Sequence, residues 1–191
     1  MKTIPRTSLA KTIAIGLGVL ACVAGGVSAC SGAPSNSRVG ILAPDETQFA
    51  PLEEMLDHRC GSLDCHGSRQ RNLVIYGCYG LRLDDAGVPG CRSVGGTNTT
   101  DAELDATYRS LVGLEPAVMS NVVAGTGQYP QLLTFVRKAR GEEAHKGGAL
   151  IVPGDVQDQC IAAWLSGVPN PDDYAAACTA ALAIPPGPTA P

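Results

Sequence analysis

The chain has 191 residues, 45% of them hydrophobic and 4% aromatic, with a formal net charge of −4 at pH 7. The first 29 residues contain three of the 14 basic residues and none of the 18 acids, so the rest of the chain carries 11 basic against 18 acidic residues, a net charge of −7. A chain this acidic is a poor binder of nucleic acid or of anionic lipid head groups. We therefore expect no nucleic-acid partner.

The N-terminus has the pattern of a secretory signal. Lys2, Arg6 and Lys11 precede an apolar, glycine-rich run at 13–27, which is too short for a good membrane span. The run ends in Val27-Ser28-Ala29-Cys30, which resembles the bacterial lipobox. This predicts a cleaved signal peptide at 1–29 and a lipid, such as palmitate, on Cys30. The alternative is ordinary cleavage after Ala29, which would leave Cys30 as a thiol.

The remainder divides into a tether, one domain and a tail. Residues 30–47 are mostly small, polar or proline and predict a flexible tether, and residues 184–191 predict a disordered tail. The domain at 48–183 is predicted to be mostly α with long irregular loops and no strand of any length. Apolar residues three and four apart predict helices over 48–58, 100–112, 116–125, 130–140, 155–167 and 170–182. Thr100 with Glu103 predicts a capping box, and Asp155 and Asn170 predict N-caps. In the helix at 130–140, the residues predicted to face inward are Leu132, Leu133 and Val136.

The stretch with chemical content is Asp57 to Gly67, DHRCGSLDCHG. Two cysteines followed at once by a histidine, here Cys60, Cys65 and His66, are the layout for covalent haem attachment, with the histidine as proximal iron ligand. The usual spacing between the cysteines is two residues, and here it is four. Two alternatives stay open: a Cys60–Cys65 disulfide, or a zinc site that also uses His58.

Further motifs follow in a recognisable order. They are GLRLD at 80–84, AHKGG at 144–148, PGD at 153–155 and WLSG at 164–167. Their order resembles the cytochrome c-like domains of envelope proteins from planctomycetes and myxobacteria, and the resemblance covers Phe49 to Gly167. It implies a cytochrome c-like α fold with haem c, to which the helix at 170–182 is an addition.

A distal iron ligand would have to come from elsewhere in the chain. His145 lies beside glycines that let the backbone approach a haem edge. Met119 is the other candidate, although a methionine on an apolar helical face is more often part of the core. Arg69 and Arg71 would be available to pair with haem propionates, or would simply be solvated.

The other cysteines are predicted to form disulfides. Cys160 and Cys178 lie at equal distances from the turn between the last two helices, which predicts a bridge between them. Cys78 and Cys91 enclose a glycine- and proline-rich loop and form the second predicted pair. This leaves Cys60 and Cys65 for each other or for haem.

Together these features predict a lipid-anchored c-type cytochrome-like protein of the cell envelope. It would transfer single electrons to a redox partner protein and would not be an enzyme. By resemblance to the sorting of bacterial lipoproteins, serine rather than aspartate at residue 31 implies the outer membrane. The alternative function is a disulfide-stabilised lipoprotein without haem, acting as a binding or structural module.

Replacing Cys30 with serine should abolish lipidation, because serine has no sulfur to form the thioether. Metabolic labelling with an alkyne fatty acid should label the wild type and not Cys30→Ser, and fractionation should move the variant to the soluble fraction. Cys22→Ser, which changes the cysteine inside the predicted signal peptide, is the control and should stay in the membrane. Membrane retention of Cys30→Ser would contradict the lipobox assignment.

Overall fold

The computed structural model of the protein describes residues 40–83 and 98–185. The chain divides into two compact units, Met1–Gly40 and Ile41–Pro191, and the helices described below belong to the second. The predicted signal peptide, the lipidation site Cys30, most of the tether, Cys91 and the end of the tail lie outside the described residues.

The described part of the chain is mostly α-helical, as the sequence predicts. Its isolated bridge, Tyr76 with Leu81, is the sole β-type pairing in residues 40–83 and 98–185. None of the helices there has the length and apolar character needed to cross a membrane. The α-helices are α1 (Ala50–Cys60), α2 (Asp101–Val112), α3 (Pro116–Ala124), α4 (Thr134–Ala139), α5 (Val156–Leu165) and α6 (Pro171–Ala181), with short 3-10 turns at Glu46–Gln48 and Pro130–Leu132.

The helix starts follow from local sequence. The Thr100 hydroxyl accepts a hydrogen bond from the Glu103 backbone N–H, and the Glu103 carboxylate accepts one from the Thr100 backbone N–H, which is the predicted capping box. Asp155 caps α5 and Asn170 caps α6 through their side-chain oxygens. These caps satisfy backbone donors that the first helical turn leaves without partners.

The segment 130–139 differs from the single predicted helix. It breaks at Leu133, whose φ of −79° and ψ of 127° are extended. The Glu115 carboxylate accepts hydrogen bonds from the backbone N–H (2.6 Å) and the hydroxyl (2.8 Å) of Thr134, and so caps α4 from another part of the chain. Leu132, predicted to face inward, is 51% exposed. The break lets Leu133 take the buried position.

Helices α5 and α6 pack side by side and carry the predicted disulfide. Cys160 and Cys178 are bonded, with their Cα atoms 4.9 Å apart, and both are buried in the core. This prediction is confirmed. Cys78 is also disulfide-bonded, but its predicted partner Cys91 lies outside the described residues, so that pairing stays a prediction.

The core is built around a few aromatic rings. The Phe49 ring centre lies 5.2 Å from that of Trp164 and 5.5 Å from that of Tyr108. The Trp164 N–H donates to the Asp45 carbonyl (3.2 Å), and the Tyr108 hydroxyl donates to the Pro44 carbonyl (2.7 Å). Trp164 and Tyr108 thus pack their rings in or against the core, while their polar groups bind the segment that leads into α1.

A buried ion pair joins the GLRLD motif to α2. Arg82 Nε lies 2.7 Å from the Glu103 carboxylate, and both side chains are almost fully buried. The same carboxylate accepts the Leu83 backbone N–H at 3.0 Å. The arginine of this motif therefore binds the carboxylate that caps α2, which fixes the loop against the helix.

Two further carboxyl groups are buried one turn apart on α1. Glu53 is 1% exposed and Asp57 is fully buried. Burial, together with the nearby charges of Asp57, Glu103 and Glu54, raises the pKa of Glu53 to about 9. Burial also raises the pKa of Asp57 to about 6, against the lowering effect of its bond from the Tyr79 backbone N–H. Glu53 is therefore a neutral acid at pH 7.

The raised pKa of Glu53 predicts a pH-dependent stability. The folded state keeps this proton up to about pH 9, whereas an unfolded glutamate loses it near pH 4.3, so the contribution to stability is complete below the unfolded pKa and is lost as pH rises. Glu53→Gln should remove a slope of about 1.4 kcal/mol per pH unit between pH 5 and 9. Urea unfolding across this range measures it.

Glu54→Gln is the matched control, because it removes a carboxyl group from the next position of the same helix and leaves Glu53 in place. Most of the slope should remain, since Glu54 contributes least to the raised pKa of Glu53. Identical pH slopes in the wild type and Glu53→Gln would show that Glu53 does not hold the proton.

Candidate functional site

The two cysteines and the histidine of the DHRCGSLDCHG stretch lie on one tight turn at the end of α1. The His66 backbone N–H donates to the Cys60 carbonyl at 2.9 Å, and the Cys65 and Gly67 N–H groups both donate to the Ser62 carbonyl at 2.9 Å. These bonds fold the four residues between the cysteines into a compact loop. The wider spacing therefore still brings Cys60, Cys65 and His66 to one place.

This turn is packed so closely that two glycines are required. A Cβ atom on Gly67 would lie 2.2 Å from the Gly61 carbonyl oxygen, and one on Gly80 would lie 1.8 Å from the same atom. Real Cβ atoms cannot approach so closely, so no side chain fits at either position. The glycines of the CHG and GLRLD motifs therefore have one shared role, which is to let the chain fold onto the Gly61 carbonyl.

His66 is held in one tautomer and in one orientation. Its ring Nδ1 lies 2.9 Å from the Leu73 carbonyl oxygen, and since a carbonyl can only accept, Nδ1 carries the proton and Nε2 the lone pair. Burial lowers the pKa of His66, and the neighbouring His145 lowers it further. His66 is therefore a neutral imidazole, the form that binds a metal, with the backbone hydrogen bond common behind metal-bound histidines.

His145 is arranged in the same way but on a surface loop. Its Nδ1 lies 3.3 Å from the Gly148 carbonyl oxygen, which again leaves the lone pair on Nε2. Gly148 has a φ of +72°, and a Cβ atom on Gly147 would lie 3.1 Å from the imidazole Cε1. The two glycines let the loop curl tightly behind the ring.

The structure brings the two predicted histidines together. The ring centres of His66 and His145 are 5.8 Å apart, and the ring planes are inclined by 28°. Imidazole nitrogens bind metals at about 2.0–2.1 Å, so two imidazoles on opposite sides of one ion have ring centres about 6 Å apart. The observed separation of the ring centres is close to this value. Ligation of one ion would also require both Nε2 lone pairs, which lie in the ring planes, to point at it.

Both histidines line a cavity of about 520 Å³, which also contacts Cys60. A cavity of this size is within the range of small-molecule and cofactor sites. Its walls are largely apolar. The sequence did not predict this cavity, because its lining comes from three separate helices and three connecting segments. The apolar lining includes Leu56, Leu73, Ile75, Leu114, Phe135, Leu150, Ile151 and Ile161.

Cys60 and Cys65 are free thiols. Burial raises the pKa of the Cys60 thiol to about 12, so it is protonated at neutral pH and is a poor zinc ligand. Within residues 40–83 and 98–185, three or more His, Cys, Asp or Glu side chains never come together in an arrangement that could hold a metal ion. His58 packs its ring edge-on against Tyr79, with centres 4.8 Å apart. The zinc alternative therefore has no support in the described residues.

Of the other predicted site residues, Met119 lies away from the histidine pair, whereas Arg71 lines the same cavity. Met119 is 1% exposed and belongs to the hydrophobic core; it is not part of the cavity lining. Arg71 does line the cavity, and it donates to the Cys65 (3.0 Å) and Asp64 (3.1 Å) carbonyls. Arg69 donates to the Leu83 carbonyl and lies over the Tyr76 ring. Arg71 thus fixes the turn, and Arg69 fixes the segment from Tyr76 to Leu83.

No family model matches this chain, and no curated protein and no solved structure matches it either.

Gly80→Ala should destabilise the protein by about 3 kcal/mol or more, because the added methyl group would overlap the Gly61 carbonyl. Gly125→Ala is the matched control, since its Cβ atom would make only ordinary contacts, the nearest at 3.4 Å. Urea unfolding followed by circular dichroism measures both. Equal unfolding midpoints would show that the turn relaxes freely, and that glycine is not needed there.

Proposed function

We propose that this protein is a lipid-anchored envelope electron carrier with haem c attached to Cys60 and Cys65, and with His66 and His145 as the axial ligands. The observation that carries the proposal is the histidine pair: two imidazoles, each with Nδ1 on a backbone carbonyl, with ring centres 5.8 Å apart. A cytochrome c-like fold, as the motif order suggests, is part of the same proposal.

The residues present fit a haem group. A porphyrin supplies four nitrogen ligands to its iron, so the protein has to provide two axial ligands and not a cluster of three or more. The free thiols of Cys60 and Cys65 are the groups that add to haem vinyl groups. The neighbouring cavity has mostly apolar walls, as a porphyrin plane requires.

Haem c would supply a one-electron couple. The chain's own residues would set its properties. The Leu73 carbonyl bonded to His66 keeps that imidazole oriented and makes its Nε2 more electron-rich. Two imidazole ligands favour a lower potential than a histidine–methionine pair, because a thioether favours the ferrous state. With His66 and His145 both bound to the iron, no coordination position would remain for a substrate, which favours an electron carrier over an enzyme.

The partner and location follow from the same features. A single-electron carrier needs a redox partner protein at its surface. The lipobox at Cys30 supports attachment to the outer membrane through lipid, and the net negative charge of the remaining chain argues against binding to anionic head groups.

The test is the spectrum of the protein produced in a host that matures c-type cytochromes. We expect haem bands that survive acid–acetone extraction and a low-spin ferric spectrum. His145→Ala should keep the covalent haem but turn the ferric iron high-spin and let the ferrous form bind carbon monoxide.

Met119→Ala is the control. It should cost on the order of 2–5 kcal/mol of stability as a buried core truncation and leave the spectrum unchanged. A change of spin state in this variant would overturn His145 as the ligand. A colourless wild-type protein would overturn the haem proposal and favour the alternative, a haem-free binding or structural module.

A further inference from the structure

The loop that carries His145 begins and ends on the same turn of helix α4. On leaving the helix, the Glu142 backbone N–H donates to the Arg137 carbonyl at 2.8 Å; on return, the Leu150 and Ile151 N–H groups both donate to the Ala139 carbonyl, at 2.8 and 3.0 Å. The position of His145 relative to His66 therefore depends on how the loop is fixed to α4.

The two histidines differ in how firmly they are held. His66 follows the packed turn at the end of α1, and its ring hydrogen bond is 2.9 Å long and partly buried. The ring hydrogen bond of His145 is 3.3 Å long and exposed, and it is made to a residue of the same loop. Gly141 and Gly148 have φ values of +73° and +72°, so the loop bends at glycines on both sides of His145. The position of His145 therefore depends more than that of His66 on the contacts made by the rest of its loop.

Glu143 connects this loop to helix α4. Its carboxylate lies 3.1 Å from Arg137 Nε and 3.0 Å from Lys138 Nζ. Lys138 Nζ also donates to the Ala144 carbonyl at 3.0 Å, directly before His145. The last turn of α4 thus holds the loop through two cations that act on consecutive residues.

The arginine in this cluster is itself immobilised. Arg137 donates to the Gln131 and Leu132 carbonyls and to the Thr134 hydroxyl. Its guanidinium is therefore oriented before Glu143 binds, and less side-chain entropy is lost when the ion pair forms. A pre-organised cluster of two cations around one carboxylate is stronger than an isolated surface ion pair.

We propose that Glu143 is a positioning residue for His145: its ion pairs with Arg137 and Lys138 hold the loop so that the His145 imidazole faces His66. The inference rests on the proposed function where it concerns haem ligation. Without Glu143, His145 leaves the distal position more often, and that position becomes open to a small neutral ligand such as carbon monoxide.

The decisive comparison is Glu143→Gln with Glu142→Gln, each in the full-length haem-containing protein. Both variants remove one negative charge from adjacent loop positions, but Glu142 pairs only at 3.8 Å, with Arg140 Nη1. Loss of two surface ion pairs corresponds to an increase of about twofold to tenfold in the open fraction. We expect this increase in the apparent affinity of the ferrous protein for carbon monoxide in Glu143→Gln and none in Glu142→Gln.

Salt gives a second readout, which a general loss of folding would not reproduce. At 1 M salt the screening length is about 3 Å, so exposed ion pairs weaken. Carbon monoxide affinity of the wild type should rise with salt toward that of Glu143→Gln, whereas the variant should respond little. An equal salt response in both proteins would overturn the proposal.

Hydrogen exchange separates this proposal from the proposed function. The Gly148 amide donates to the His145 carbonyl at 3.0 Å, so its exchange rate reports on the loop whether or not haem is present. Exchange there should increase about twofold to tenfold in Glu143→Gln and stay at the wild-type rate in Glu142→Gln. Missing haem bands with this difference intact would overturn the haem proposal alone. Equal exchange in the two variants would overturn the role of Glu143.

Discussion

The arrangement of the site depends on one close backbone contact, at the Gly61 carbonyl. Gly67 and Gly80 both approach this oxygen at distances that leave no room for a side chain. The contact folds Cys60, Cys65 and His66 onto one turn and places the loop after it beside α1. Gly80 of the GLRLD motif packs on the same oxygen, and Arg82, two residues later, binds the Glu103 carboxylate that caps α2. The site and the helical core are therefore joined through backbone packing and one buried ion pair.

His66 and His145 are held in place by different kinds of interaction. His66 belongs to a turn fixed by close packing and by a partly buried hydrogen bond. His145 belongs to a surface loop fixed by hydrogen bonds and ion pairs to α4. Packing is insensitive to salt, whereas exposed ion pairs are not. One side of the proposed cofactor site is thus held by packing, and the other by hydrogen bonds and by ion pairs that salt weakens.

Buried carboxyl groups are the other main feature of this domain. Arg82 and Glu103 neutralise each other, and the pKa of Glu103 is lowered by its bonds from Arg82 and Thr100 although burial opposes this. Glu53 has no comparable partner described for its Oε1 atom, and burial raises its pKa instead. The same desolvation thus has opposite outcomes on neighbouring helices, because only one of the two carboxyl groups has a cation beside it.

Local sequence determined the features that depend on neighbouring residues: the mostly α class, the caps at Thr100, Asp155 and Asn170, and the Cys160–Cys178 bridge, whose spacing about one turn is enough to predict it. It also singled out His66 and His145 from motif adjacency. Only the tertiary structure decided how near these two rings lie, because 79 residues of chain separate them and no local rule fixes that distance. It also broke the predicted helix at Leu133, because Glu115 on another segment caps Thr134. The ion pairs of Glu143 with Arg137 and Lys138 could not be predicted from the sequence either, since their geometry depends on how the loop returns to α4.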